Sequence, residues 1–217
     1  LGTEFIDDNG LADGSYIYTI SIEDAVGNVQ TIGNASMTVC IDSGDGGVIS
    51  TLTVDGNAVD YVSTDGDISL VWAAPLDAGC AGIKQYHVVR NGSVIVVQAG
   101  LTYDDLGLAD GEYTYTIWAE DNSGNITDTG NDVITACVDN ADPNAIVAGN
   151  FSIEGRIANF TTSDNDLHIT WTNSGDVGCS GVSLYHVYRD AVELAGSPVA
   201  LGTEFIDDNG LADGSYI

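Results

Sequence analysis

The sequence predicts an all-β protein made of tandem β-sandwich domains, and three observations carry that prediction. Short runs of β-branched and aromatic residues alternate with period two, as in Ile68–Trp72, Tyr86–Val89 and Tyr113–Ala119. Turn signals separate the runs, at Asp55-Gly56-Asn57, Asp65-Gly66, Asn91-Gly92-Ser93, Asp110-Gly111 and Ser123-Gly124-Asn125. The chain also repeats itself at two levels, while no long stretch holds a helical period.

The first repeat is an identity. Leu1–Ile17 reads LGTEFIDDNGLADGSYI, and Leu201–Ile217 reads the same, a period of 200 residues. Its natural reading is a window on a longer tandem array, a segment of a stalk or fibre. The second repeat is weaker. Leu11-Ala12-Asp13-Gly14-x-Tyr16-x-Tyr18-Thr19-Ile20 returns as Leu108-Ala109-Asp110-Gly111-x-Tyr113-x-Tyr115-Thr116-Ile117, a shift of 97. Trp72 answers to Trp171, Tyr86-His87-Val88 to Tyr185-His186-Val187, Cys40 to Cys137 and Cys80 to Cys179. Each period therefore holds two related units of about 100 residues, a common domain size.

These marks resemble a fibronectin type III (Ig-like) domain of the kind found in bacterial and archaeal surface proteins. The resemblance rests on Trp72, on Tyr86-x-Val88-x-Arg90, and on Leu108-Ala109-Asp110-Gly111-x-Tyr113-x-Tyr115-x-Ile117-x-Ala119. Trp171, Tyr185-x-Val187-x-Arg189 and Leu11–Tyr18 repeat them. On that template Val48–Val54 is strand A, Ile68–Trp72 is B and Ile83–Arg90 is C. Ser93–Gln98 is the next strand, Leu101–Asp104 the short E, Glu112–Glu120 is F and Val133–Cys137 is G. The template implies a complete domain at 41–137, the last strands of one domain at 1–40, and the first part of another at 138–217. Joined across the 200-residue period, the two outer pieces make one whole domain.

Four cysteines fall as two equivalent pairs, with no C-x-x-C that would suggest zinc or a thioredoxin-type site. Spacing alone leaves two readings: one disulfide per domain in an oxidising compartment, or buried thiols. The template implies Cys40–Cys80 and Cys137–Cys179. It puts each strand-G cysteine at the pole where the next domain's BC loop lies, and Cys80 and Cys179 sit in those loops.

The chain has 33 acidic and 4 basic residues, a net charge of -29. Nucleic acid is thereby excluded as a partner, since phosphate contacts need clustered Lys and Arg. The same charge argues against anionic membrane surfaces as partners, and no apolar run is long enough to span a bilayer. Five N-x-S/T sequons occur, at Asn34, Asn91, Asn125, Asn150 and Asn159. The acid has two readings, a solvated, self-repelling surface or hard-cation binding. For the second, the template gathers linker, BC-loop and FG-loop carboxylates at one pole. Asp65, Asp110, Asp139, Asp142 and Asp176 become candidate Ca²⁺ ligands there, against a bland reading as turn-forming residues.

Catalytic constellations are sparse. His87 and His186 share one position on strand C and read as outward surface residues, and His168 lies in strand B. Arg90 and Arg189 read as edge residues. No nucleophile–base motif, phosphate loop or H-E-x-x-H occurs, so the expectation is no enzyme. Trp118 alternates out of phase with the inward Tyr115, Ile117 and Ala119, and its counterpart is Ser21. With His87 and Val89 in one unit, and His186 and Tyr188 in the other, it forms a candidate assembly patch.

The expectation that follows is an extracellular structural segment: a fibre, filament or giant adhesin stalk whose partners are neighbouring copies of the same repeat. The alternative is an accessory, carbohydrate-binding or adhesion-binding module of a secreted multidomain protein, with Trp118 stacking on sugar.

Overall fold

A computed structural model describes residues 4–7, 9–200, 202, 204–207 and 214. The second copy of the seventeen-residue repeat lies mostly outside these. The strands in chain order are β1 (Gly14–Thr19), β2 (Ile22–Glu23), β3 (Val29–Gln30), β4 (Ser36–Ile41), β5 (Thr53–Val54), β6 (Tyr61–Ser63), β7 (Ile68–Val71), β8 (Ile83–Arg90), β9 (Ser93–Gln98) and β10 (Thr102–Asp105). Then come β11 (Gly111–Asp121), β12 (Ile126–Thr127), β13 (Val133–Val138), β14 (Phe151–Ile153), β15 (Leu167–Trp171), β16 (Leu184–Tyr185), β17 (Tyr188–Arg189), β18 (Val192–Glu193), β19 (Val199–Ala200) and β20 (Glu204–Asp207). Among the described residues the helical element is a single 3₁₀ turn, Ala148–Asn150. The all-β expectation is met.

The chain divides into two compact units. One comprises Leu1–Tyr61, Asp67–Leu106 and Tyr113–Ala136; the other comprises Val62–Gly66, Gly107–Glu112 and Cys137–Ile217. The central sandwich has one sheet in the order β10-β7-β5 and a second in the order β6-β13-β11-β8-β9, with β12 on β11. In the letters of the template these are E-B-A and G-F-C-C′ with an added edge strand beside G. The strand order is that of a fibronectin type III-like sandwich, as the resemblance implies.

Alternation explains which residues make the core. Ile68 and Leu70 of β7, Tyr86 and Val88 of β8, and Tyr115, Ile117 and Ala119 of β11 are all buried because every second side chain of a strand faces one side. Trp72 closes one end of this core, edge-on to Tyr86 with ring centroids 5.7 Å apart. Each large apolar side chain buried this way stabilises by about 1.5–3 kcal/mol. The β8–β9 hairpin turns at Asn91-Gly92, both at positive φ (50° and 76°), which is why an Asn-Gly pair there reads as a hairpin in the sequence.

Two local features depart from the expected strands. The first strand is in the ladder only at Thr53–Val54. Upstream, side chains replace strand partners: Ile49 N donates to Asn131 Oδ1 at 2.8 Å and Leu52 N to Asp132 Oδ2 at 3.3 Å. Ile49 and Leu52 are buried all the same. The edge strand β6 lies in a stretch without a convincing apolar alternation.

The second unit repeats the plan in outline. β14-β15-β20 form a three-stranded sheet, and Ile169, Trp171, Tyr185, Val187, Leu194 and Phe205 form its core. Trp171 and Tyr185 meet at 5.3 Å, as Trp72 and Tyr86 do. In the first unit, β1 and β4 pair over Gly14–Ile41, and Ile17, Ile20 and Met37 are exposed.

Candidate functional site

The cysteines form the pairs Cys40–Cys80 and Cys137–Cys179, with Cα–Cα distances of 5.9 and 5.8 Å. Each bond fastens the end of a strand (β4, β13) to a loop that precedes a C-type strand. Cys80 sits in Asp77-Ala78-Gly79-Cys80-Ala81-Gly82, and Cys179 in Asp176-Val177-Gly178-Cys179-Ser180-Gly181.

Two residues beyond each strand cysteine stands an aspartate, Asp42 or Asp139, whose carboxylate lies on that loop. Asp42 Oδ2 accepts from Ala81 N at 2.9 Å, and Asp139 Oδ2 from Ser180 N at 3.0 Å. Both carboxylates press against a glycine, and a Cβ on Gly79 or Gly178 would meet them at 2.0 Å. Only a residue without a side chain permits that approach.

The loop's own aspartate braces it from within. Asp77 accepts from Gly79 N at 3.0 Å and Gly82 N at 2.6 Å; Asp176 accepts from Gly178 N at 3.3 Å and Gly181 N at 2.9 Å. A third carboxylate, Asp121 at the end of β11, is fully buried. Its oxygens accept from Asn125 N at 2.9 Å and Asn125 Nδ2 at 2.8 Å. Asp24, its counterpart 97 residues earlier, accepts from Asn28 N and Nδ2 in the same way. Carboxylate oxygens of Asp42, Asp77 and Asp121 lie within 4.8 Å of one another.

For Asp121 and Asp139 the fold favours the charged form. Burial opposes ionisation of Asp121, yet hydrogen bonds from the Asn125 side chain and the amides of Asn125, Gly124 and Ser123 hold its carboxyl below its usual range. The Ser180 hydroxyl and amide do the same for Asp139.

Of the carboxylates singled out as Ca²⁺ ligands, Asp139 and Asp176 meet, sharing Ser180 Oγ. Asp65 instead takes a hydrogen bond from Ser63 Oγ at 2.8 Å, Asp110 Oδ1 one from Asn140 N at 2.8 Å, and Asp142 is exposed. The cluster of Asp42, Asp77 and Asp121 was not among those candidates. The repeat offsets carry its signal, since Asp42 answers to Asp139 and Asp77 to Asp176.

The proposed assembly patch divides. Trp118 stands opposite His87 in the β11–β8 register and is half-buried. Val89 is a correction: it is 1% exposed and offers no contact surface. The β8–β9 ladder is irregular at this residue, with Val88 paired to Val96 but Val89 to Val94. Such a bulge adds twist and bends the strand. In the other unit Tyr188 is exposed, and its ring stacks on His186 at 6.4 Å.

The histidines are engaged with glutamates: His87 Nε2 with Glu120 Oε2 at 2.7 Å, His168 Nε2 with Glu204 Oε2 at 3.2 Å, and His186 Nδ1 with Glu193 Oε1 at 2.8 Å. Glu120 is buried and also receives Lys84 Nζ at 2.6 Å and Gln85 Nε2 at 2.7 Å. Lys84 first, then Gln85 and His87, bring its carboxyl down to about 2.

The expectation that Arg90 and Arg189 are edge residues is also corrected. Arg90 Nη1 donates to both oxygens of buried Asp105, at 2.9 and 2.7 Å, and the hydroxyl of buried Tyr115 donates to Oδ2 at 2.8 Å. This triad ties β8 and β11 of one sheet to β10 of the other. Burial first, and then the Asp105 carboxylate, push the Tyr115 phenol far up. Its parts recur elsewhere. Arg189 Nη1 donates to Asp207 Oδ2 at 2.6 Å, and the Tyr18 hydroxyl to Asp7 Oδ2 at 2.8 Å. Asp7 and Asp207 occupy the same position of the 200-residue repeat.

No protein-family model matches the chain. Its sequence is 29% identical over 206 residues to exoglucanase B of Cellulomonas fimi, covering 93% of this chain and 18% of that protein. It is 34% identical over 127 residues to chitinase A1 of Niallia circulans, covering 58% of this chain and 18% of that one. It is 32% identical over 146 residues to chitinase 63 of Streptomyces plicatus, covering 58% and 23%. The chain thus spans about a fifth of the length of these relatives. Among solved structures it is similar to the fibronectin(III)-like modules of Clostridium thermocellum CbhA, at 14% identity and a TM-score of 0.33 over 41% of this chain and 96% of that one. The central fibronectin-III array of RIM-binding protein matches at 14% identity and a TM-score of 0.35, covering 76% and 58%.

Proposed function

We propose that this chain is a non-catalytic array of fibronectin type III-like modules, an accessory part of a secreted multidomain protein acting on polysaccharide. The observation that carries the reading is the shape of the similarity to exoglucanase B. It covers 93% of this chain but 18% of that protein, as a module shared between larger proteins would. Two disulfides support an oxidising, extracellular setting. The side chains that could do acid–base chemistry support a structural role, because His87, His168 and His186 pair with glutamates and Arg90 is held in a buried triad. In this reading the modules are spacers that set the distance between working domains. The test is hydrolysis and sedimentation with insoluble cellulose and chitin. The isolated chain releases no sugar. Deleting it from the full-length protein lowers turnover of the insoluble substrate and leaves a soluble oligosaccharide unaffected. Sugar release by the isolated chain, or an equal loss on both substrates, overturns the reading.

A second reading, a fibre or stalk, is favoured by one observation, the identity of Leu1–Ile17 and Leu201–Ile217. In it the domain boundaries fall near residues 40 and 137. The pieces at 1–40 and 138–217 are the two parts of one domain type, which a continuous array brings together. Tyr18–Asp7 and Arg189–Asp207 are contacts of the same kinds as those of Arg90, Asp105 and Tyr115. Neighbouring copies would meet through Trp118 with His87, and through Tyr188 with His186. Electron microscopy of native material decides, long rods supporting the fibre and discrete particles rejecting it. A Trp118→Ser variant, copying Ser21, that assembles unchanged rejects the patch alone.

A further inference from the structure

The chain holds four basic side chains, and each has a partner other than Asp42, Asp77 or Asp121. Lys84 pairs with Glu120, Arg90 with Asp105 and Arg189 with Asp207, while Arg156 lies over the Phe160 ring at 5.0 Å. The carboxylates of Asp42, Asp77 and Asp121 come within 4.8 Å of one another, and none of the four basic side chains forms an ion pair with them. Like charges so close repel, and burial of Asp121 strengthens the repulsion.

A second observation comes from the equivalent place in the other unit. Asp139, the counterpart of Asp42, is 9% exposed, and its Oδ1 is buried with no hydrogen-bond partner. Its other oxygen is held by Ser180, which also reaches Asp176 Oδ2 at 3.4 Å. The unpartnered oxygen lies against Gly178, inside the loop that Asp176 opens. A buried carboxylate oxygen left without a partner is costly, and folded proteins leave few of them. The same arrangement of linker aspartate, close glycine and loop aspartate thus occurs twice; in the first, three carboxylates crowd together, and in the second a buried carboxylate oxygen has no donor.

We propose that the cluster of Asp42, Asp77 and Asp121, and its counterpart around Asp139 and Asp176, bind Ca²⁺. The donors are all oxygen, which selects a hard cation over zinc or copper. Ca²⁺ binds oxygens at about 2.3–2.6 Å, so two ligand atoms of one ion stand no more than about 5 Å apart. The 4.8 Å limit observed for the first cluster meets that condition. The ion would tie the segment after each strand cysteine to the same loop that the disulfide holds. The site stands on these residues whatever the array is attached to.

The test is calorimetric titration of the full 217-residue chain, stripped with chelator, with CaCl₂ and separately with MgCl₂. The expected result is saturable Ca²⁺ binding with Kd about 10⁻⁴–10⁻³ M, the range of extracellular modules, and markedly weaker Mg²⁺ binding. Asp77→Asn keeps an amide-accepting oxygen for the loop and is expected to remove one site. Asp128→Asn, an exposed carboxylate, keeps both. The proposal is overturned if no saturable heat appears up to about 10 mM Ca²⁺, if Mg²⁺ binds equally, or if a folded Asp77→Asn variant titrates like the parent. Should that variant lose its β circular dichroism, the parent's Ca²⁺ and Mg²⁺ isotherms decide.

Discussion

Removing the Asp105 carboxylate tests most directly what holds the two sheets of the central sandwich together. Asp105 is 6% exposed, Tyr115 fully buried and the Arg90 side chain 31% exposed. Asp105→Ala leaves a buried phenol and a half-buried guanidinium unpaired. Breaking a buried pair by deleting one partner costs about 3–5 kcal/mol. Solvent reaches part of the Arg90 head and takes up some of that cost, so about 3 kcal/mol is expected. For a domain of this size that lowers Tm by about 15 °C. Tyr115→Phe removes one hydrogen bond while Asp105 keeps Arg90, and costs about 1 kcal/mol. The triple variant Arg90→Met, Asp105→Leu, Tyr115→Phe replaces the polar cluster with apolar groups and recovers to within about 1 kcal/mol of the parent. Urea unfolding followed by circular dichroism and tryptophan fluorescence measures all three. An Asp105→Ala variant within about 0.5 kcal/mol of the parent would refute the claim that the triad ties the two sheets together.

Three further outcomes follow from the same structure. The Cys40→Ser, Cys80→Ser double variant loses about 4 kcal/mol in the chain-entropy model for a 40-residue separation, and a loss under about 1 kcal/mol in chemical denaturation would show that the reduced chain already keeps those segments together. Glu120 is held at about 2 against an ordinary value of 4.5, so its contribution to stability is full above pH 4.5 and is lost as pH falls toward 2; Glu120→Gln is expected to flatten that part of the Tm–pH profile, and an unchanged slope argues against the Lys84–Gln85–His87 cage. Gly79→Ala puts a methyl 2.0 Å from the Asp42 carboxylate and is expected to destabilise by about 1–3 kcal/mol, whereas Gly92→Ala, with open space around it, costs only the strain of its positive φ; equal Tm losses would contradict the close approach.

Much of the fold was legible because its signals are local. Ile68–Trp72 and Tyr113–Ala119 alternate in the sequence and are buried on alternate residues in the sheets. Asn91-Gly92 turns where its φ angles require. The cysteine pairs stand out because they recur at one place in each unit. Strand A was less legible, since Asn131 and Asp132 hold Ile49 and Leu52 from about 80 residues away. Val89 shows the limit of alternation. It keeps its register opposite Thr116 but is covered, and coverage depends on neighbouring strands and their bulges.

The charged residues mark the same divide. Composition, alternation and turn signals alone determined the all-β class and the strongly acidic character, because these depend on residue type and on period. The partners of Arg90, Glu120 and Asp42 were decided only in three dimensions. Arg90 and Asp105 stand 15 residues apart in sequence and Asp42 and Asp121 nearly 80, on strands and loops whose meeting is set by sheet order. A carboxylate in a turn looks the same in sequence whether it faces water, an arginine or two other carboxylates. Its energy differs in the three cases because the charge and dielectric around it come from distant parts of the chain.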